Sequence, residues 1–203
     1  MSNKADQEAR YKKRMQRTKE AIDKKVAAAT EERGIVIILT GPGKGKSSSG
    51  FGNVIRCLGH GFKAGVVQFI KGAWDCGERN FLEDAIPGLE FHVMGTGFTW
   101  ETQDFQKDKS AALEAWQHAQ AMLKNPDLRL VLFDELTYVI NYGHISVEDV
   151  IDALKNRPKD QTVIITGRGA PAALMSYADT VSEIKSVKHA FDGGVKAQKG
   201  VDY

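Results

Sequence analysis

The run Ile35-Val-Ile-Ile-Leu-Thr-Gly-Pro-Gly-Lys-Gly-Lys-Ser-Ser-Ser-Gly50 decides how this chain folds. Its first five residues are apolar and mostly β-branched, the composition of a buried strand, and they end at Thr40. A glycine-rich turn then delivers Gly45-Lys46-Ser47 to the start of a helix. Glycines let the backbone fold back so that its N–H groups converge on an anion, and the positive end of the helix adds to the attraction. Gly41, Pro42, Gly43, Lys44, Gly45, Lys46, Ser47 and Ser48 are therefore the expected phosphate-binding residues, with Lys46 supplying charge and the Ser47 hydroxyl able to reach Mg²⁺. The match to G-x-x-x-x-G-K-[ST] is imperfect: Thr40 stands where the first glycine belongs, and Gly41 comes one residue late. An ordinary glycine-rich turn is the plain alternative, and the strand-then-helix context argues against it. Neither Gly41 nor Gly43 opens a G-x-G-x-x-G, which removes a dinucleotide-binding turn.

Strand and helix patterns alternate onward from this loop. A helix from Lys46 to about His60 sets Phe51, Val54, Ile55 and Leu58 on one face, and Ala64 to Ile70 reads as a second buried strand. Such alternation specifies parallel strands joined by right-handed crossovers, with ligand chemistry at their carboxyl ends. That rule directs attention to the loop Lys71 to Asn80 and to Gly95 to Thr102, which places Phe98 and Trp100 beside glycines. A loop folded over its own aromatics is the alternative there.

From Gln103 to Lys124 the pattern is helical, with Leu113, Trp116, Ala119 and Leu123 toward the core. The apolar strand Leu128 to Phe133 then runs into Asp134-Glu135, which puts two carboxylates where a strand end can hold Mg²⁺ directly or through water. A helix from Ser146 to Asn156 opens on a capping-box shape, with Asp149 three residues after Ser146. The strand Thr162 to Thr166 ends in Gly-Arg168-Gly, an arginine suited either to a phosphate or to an acid. A short helix from Pro171 to Tyr177, an edge strand from Thr180 to Ile184 and an irregular tail complete the chain.

With 203 residues, 42% hydrophobic and 27% charged, the composition suits one α/β domain, residues 31–203, preceded by a helical arm over residues 1–30. Apolar runs are strand-length and no secretory signal opens the chain, so neither a membrane span nor export is expected. Two cysteines, Cys57 and Cys76, make no disulfide framework, and a cytoplasmic location is expected. Net charge is +2, but residues 1–25 carry nine Lys/Arg against four Asp/Glu and the remainder nineteen against twenty-two. This basic arm has a thin apolar stripe, Met15, Ile22, Val26 and Ala29, and one aromatic, Tyr11. It reads equally as a solvated helix and as a functional one, and nucleic acid is not an expected partner because stacking residues are scarce. Five scattered histidines offer no metal spacing, and no serine elbow or cysteine–histidine signature appears.

Together these pieces resemble the ATP:corrinoid adenosyltransferases of the CobA/BtuR type. The resemblance rests on Gly41-Pro-Gly-Lys-Gly-Lys-Ser47, Gln68 to Gly72 with Gly77-Glu-Arg79, Gly97-Phe-Thr-Trp-Glu-Thr102, Asp134-Glu-Leu-Thr137, Thr166 to Gly169 and Gly194 to Gly200. In that family the late glycine is the usual form. The resemblance implies a P-loop, RecA-like, mainly parallel β-sheet flanked by helices, and a transfer of the 5′-deoxyadenosyl group of ATP to Co(I) of a reduced corrinoid, with release of triphosphate. The corrinoid would be cobalamin, cobinamide or cobyrinate a,c-diamide, in synthesis or salvage of adenosylcobalamin.

By the same resemblance Ser47, Asp134 and Glu135 are the expected partners of Mg²⁺ or Mn²⁺. Lys46 is the expected catalytic lysine, Phe98 and Trp100 lie against the lower face of the corrin, and Arg168 belongs to the ligand site. The family also implies a homodimer, an arm covering the corrinoid, and an electron donor such as a reduced flavoprotein. Two departures stand out: Ser47-Ser48-Ser49 replaces the commoner threonines, and Ala170 to Leu174 is less polar than usual. An ordinary P-loop ATPase or kinase, and a nucleic-acid module gripping through the arm, are the rival readings.

Overall fold

The computed structural model describes residues 2–70, 76–95 and 104–202. They form two compact units, Met1–Glu32 and Arg33–Tyr203.

The first unit is one helix, α1 (Ser2–Ala28). Lysine, arginine, glutamate and alanine favour helix with no Gly or Pro to interrupt it. Pairs four residues apart support it: Asp6 with Arg10 at 2.9 Å, Lys19 with Asp23 at 2.6 Å, and Gln16 with Glu20 at 2.9 Å. The apolar stripe stays open to solvent, with Ile22 54% and Val26 67% exposed. Ala29 lies just past the helix end.

The second unit is a six-stranded, all-parallel sheet in the order β3-β2-β4-β5-β1-β6. Its elements run β1 (Val36–Thr40), α2 (Lys46–Gly59), β2 (Lys63–Gln68), α3 (Gly77–Ala85), β3 (Glu90–Val93), α4 (Phe105–Lys124), β4 (Leu128–Asp134), α5 (Leu136–Asn141), α6 (Val147–Lys155), β5 (Thr162–Thr166), α7 (Ala172–Tyr177) and β6 (Thr180–Glu183). The loop-bearing β1 and the acid-bearing β4 are separated by β5.

Strand alternation splits the core in two. Leu130 and Leu132 of β4 face α2 and α3, where Phe51, Val54 and Leu82 are buried. Val131 and Phe133 face the other side, against α4, α5, α6 and α7. Both faces are covered, which is why the central strands read as unbroken apolar runs.

Three details differ from the sequence expectation. Ile55 and Leu113, placed inward by periodicity, are 47% and 41% exposed. In α4 the inward stripe is Ala112, Ala115, Trp116 and Ala119, because small alanines let that helix sit close to the sheet. Within the segment read as a loop after β2, residues from Gly77 are helical, and a second short helix, α5, follows the acidic pair. Half of the capping box forms: the Ser146 hydroxyl accepts the Asp149 N–H at 3.0 Å, and the Asp149 carboxylate accepts from that hydroxyl at 2.6 Å.

Candidate nucleotide site

The loop between β1 and α2 turns on two glycines with left-handed backbone, Gly41 (φ 99°) and Gly45 (φ 115°). A Cβ on Gly41 would fall 2.5 Å from the Ile184 carbonyl oxygen, so this position requires glycine by space as well as by angle. The late glycine therefore sits where the loop meets the residue following β6. Gly43 N–H donates to the same Ile184 carbonyl at 2.7 Å.

Lys46 opens α2 and is 7% exposed, its ammonium donating to the Gly43 carbonyl at 2.8 Å. Burial pushes its pKa below the ordinary lysine value; Glu135 opposes that shift, Arg168 adds to it, and Asp134 opposes it more weakly. The lysine is thus held across the loop, with carboxylates and a guanidinium arranged around it.

At the end of β4 the two acids divide. Asp134 is fully buried, accepting from Thr166 Oγ1 at 2.7 Å and from Gln68 Nε2 at 3.1 Å. Glu135, one residue on, takes a left-handed backbone at φ 61°, which turns its side chain out of the strand register. Its N–H donates to Thr166 Oγ1 at 3.0 Å, so one hydroxyl on β5 fixes both acids. The following α5 holds the turn after β5: Thr137 Oγ1 donates to the Arg168 carbonyl at 2.8 Å and Asn141 Nδ2 to the Gly169 carbonyl at 3.0 Å.

These groups surround a cavity of 640 Å³ lined by Pro42 through Ser48, Glu135 and Arg168, all foreseen from the sequence apart from their arrangement. Gly41 and Asp134 stand behind the lining and support it. Phe98 and Trp100 lie outside the described residues. Gly77 and Glu78 come from the segment Lys71 to Asn80 that the strand-end rule singled out, and Gly200 from the tail motif; the lining residues not foreseen are Ile55, Phe81, Tyr138, His189, Val201 and Asp202. Ile55 carried no signal of this in the sequence, because it falls in phase with the apolar stripe of α2 and only the structure shows it 47% exposed. Tyr138 has its pKa raised, first by burial and then by Glu135. Among the described residues no three His, Cys, Asp or Glu side chains form a protein-only metal cage. The donors nearest the loop are a serine hydroxyl and a carboxylate, hard oxygens that suit Mg²⁺ or Mn²⁺ shared with phosphate.

A glycine-rich turn between a parallel strand and a helix, a buried lysine across it, and an acid at the end of a nearby strand define a phosphate-loop nucleotide-binding protein. The chain belongs to the ATP:corrinoid adenosyltransferase BtuR/CobO/CobP family, whose model matches residues 32–203. It is 56% identical over 194 residues to the corrinoid adenosyltransferase of Escherichia coli, covering 96% of this chain and 98% of that one. It is 55% identical to the corrinoid adenosyltransferase CobA of Salmonella typhimurium over the same shares. The corrinoid adenosyltransferase of Pseudomonas aeruginosa is 47% identical across 100% of both chains. Among the described residues no helix is long and apolar enough to cross a membrane.

Proposed function

We propose that this protein transfers the 5′-deoxyadenosyl group of ATP to the cobalt of a reduced corrinoid. The observation that carries this reading is the family match across 32–203, a span that includes the loop, both acids and the tail that line or support one cavity. In the transfer, Co(I) supplies an electron pair to C5′ of the ribose, and the C5′–O bond breaks with its pair going to triphosphate. Cobalt ends as Co(III).

The protein's task is to hold the leaving group and the line of attack. Lys46 and the N–H groups of the loop meet charge as it develops on the departing triphosphate, and their fixed positions avoid reorganisation during the step. Ser47 and Glu135 would hold the cation, which when bound neutralises part of the same charge. Asp134 acts one layer back, holding Thr166 and through it the Glu135 backbone. Phe98 and Trp100 would press on the lower corrin face and exclude its axial base, so that Co(II) accepts an electron more easily. A homodimer with the arm over the corrinoid, a reduced flavoprotein as donor and a cytoplasmic location complete the reading.

The test is to supply MgATP, Co(II)cobalamin and reductant and to follow the alkylcobalamin spectrum together with the phosphate products. Triphosphate and adenosylcobalamin should form in equal amounts, and Lys46→Ala should slow the transfer about a hundredfold or more. ADP and phosphate formed without any corrinoid would point instead to an ordinary ATPase or kinase.

A further inference from the structure

The segment after β6 returns to the phosphate loop instead of trailing away from it. The backbone of Ile184 and Lys185 presses on the loop so closely that a Cβ on Gly43 would fall 2.6 Å from the Lys185 carbonyl oxygen. Further on, His189, Gly200, Val201 and Asp202 line the same cavity as residues 42–48. Asp202 Oδ1 pairs with Lys44 Nζ at 2.7 Å, while its Oδ2 accepts the Gln198 N–H at 2.8 Å. The carboxylate is thus aimed by its own turn, which the Asp202 N–H closes on the Gln198 carbonyl at 2.8 Å.

His189 is also fixed. Its Nδ1 accepts the Phe191 N–H at 3.2 Å, and a ring nitrogen that accepts carries no proton. The donor of the ring is therefore Nε2–H. A triphosphate presents more oxygens than one lysine and a turn of backbone N–H groups can satisfy. Lys44, the loop's other cation, is engaged with Asp202, which leaves Arg168 and the tail as the remaining walls that can supply donors.

We propose that the carboxyl-terminal segment is a wall of the triphosphate site, with His189 donating through Nε2 to a phosphate oxygen and the Lys44–Asp202 pair as the latch that sets it there. This rests on the cavity being the triphosphate site. Lys44 then acts by holding the tail, a role distinct from that of Lys46.

Calorimetric titration of the full chain with inorganic triphosphate, and separately with ATP, in the presence of Mg²⁺ tests the arrangement. His189→Ala should weaken both ligands by the same factor, about tenfold, as expected for one lost bond to a charged group, and His189→Gln, which keeps a donor, should recover most of it. Lys44→Asp and Asp202→Lys should each weaken binding, and the double exchange should restore it to within about threefold of the parent, because the latch has been rebuilt with its charges reversed. Unchanged affinity in His189→Ala, or a double exchange no better than the single variants, would overturn the proposal while leaving the cavity's assignment standing. A parent protein that binds no triphosphate would overturn both.

Discussion

Thr166 carries more of the site than its size suggests. Its hydroxyl donates to Asp134 and accepts from the Glu135 N–H, and Glu135 is the one described non-glycine residue with positive φ. A left-handed backbone at a residue with a Cβ costs about 1–2 kcal/mol, and this hydrogen bond is part of what offsets it. Thr166→Val keeps the shape and removes the hydroxyl, leaving a buried carboxylate oxygen and an N–H each short of a bond. Chemical denaturation should show a loss of about 1–3 kcal/mol, with weakened ATP binding. The acidic pair itself was legible, because an apolar strand ending in Asp-Glu is a pattern along the chain. Its division of labour was not, since nothing in one dimension shows that Glu135 leaves the strand's alternation while Asp134 stays within it.

At the scale of elements, the strands were legible and the helices less so. A strand covered on both faces needs only a continuous apolar run, as in β4 and β5. A helix must be phased, and the alanines of α4 count for little on a hydropathy scale although they form its contact surface; Leu113 was misplaced for that reason. The start of β1 supplies a prediction in pH. Asp179 accepts from Arg33 at 2.6 Å and from the Val36 N–H at 2.8 Å, and its carboxyl is held below the usual range first by the Arg33 bond and also by the Val36 N–H. A depressed carboxylate stabilises the fold in full above its unfolded value, about 3.9, and the contribution is lost as pH falls through the lower folded value. Asp179→Asn should therefore lower stability near neutrality and narrow its gap to the parent as denaturation is repeated toward pH 3. A gap that stayed constant across that range would remove the ionic origin.

For the molecule as a whole, the chain divides into two compact units, Met1–Glu32 and Arg33–Tyr203. Among the described residues the buried apolar side chains begin at Val36, so residues 33–203 hold their own core. Deleting residues 1–30 should leave the melting temperature within a few degrees and triphosphate binding intact, while transfer to the corrinoid falls sharply. A truncated chain that no longer melts cooperatively would show that the arm is needed for folding. The return of the tail onto the loop was hidden from the sequence, because a glycine- and lysine-rich stretch has no periodicity to phase and its contacts are with residues far back along the chain.

The order of the sheet has a further consequence for how the chain is made. Both neighbours of β1 come late: β5 begins at Thr162 and β6 at Thr180. During synthesis the first strand of the sheet emerges with neither of its partners, and the glycine turn it carries has no Ile184 carbonyl to close upon until some 140 residues later. Such long-range pairing slows folding and leaves an apolar strand waiting. A ribosome-bound chain halted before β6 should accordingly fail to retain ATP, so that nucleotide capture reports when translation has passed the sheet's last strand.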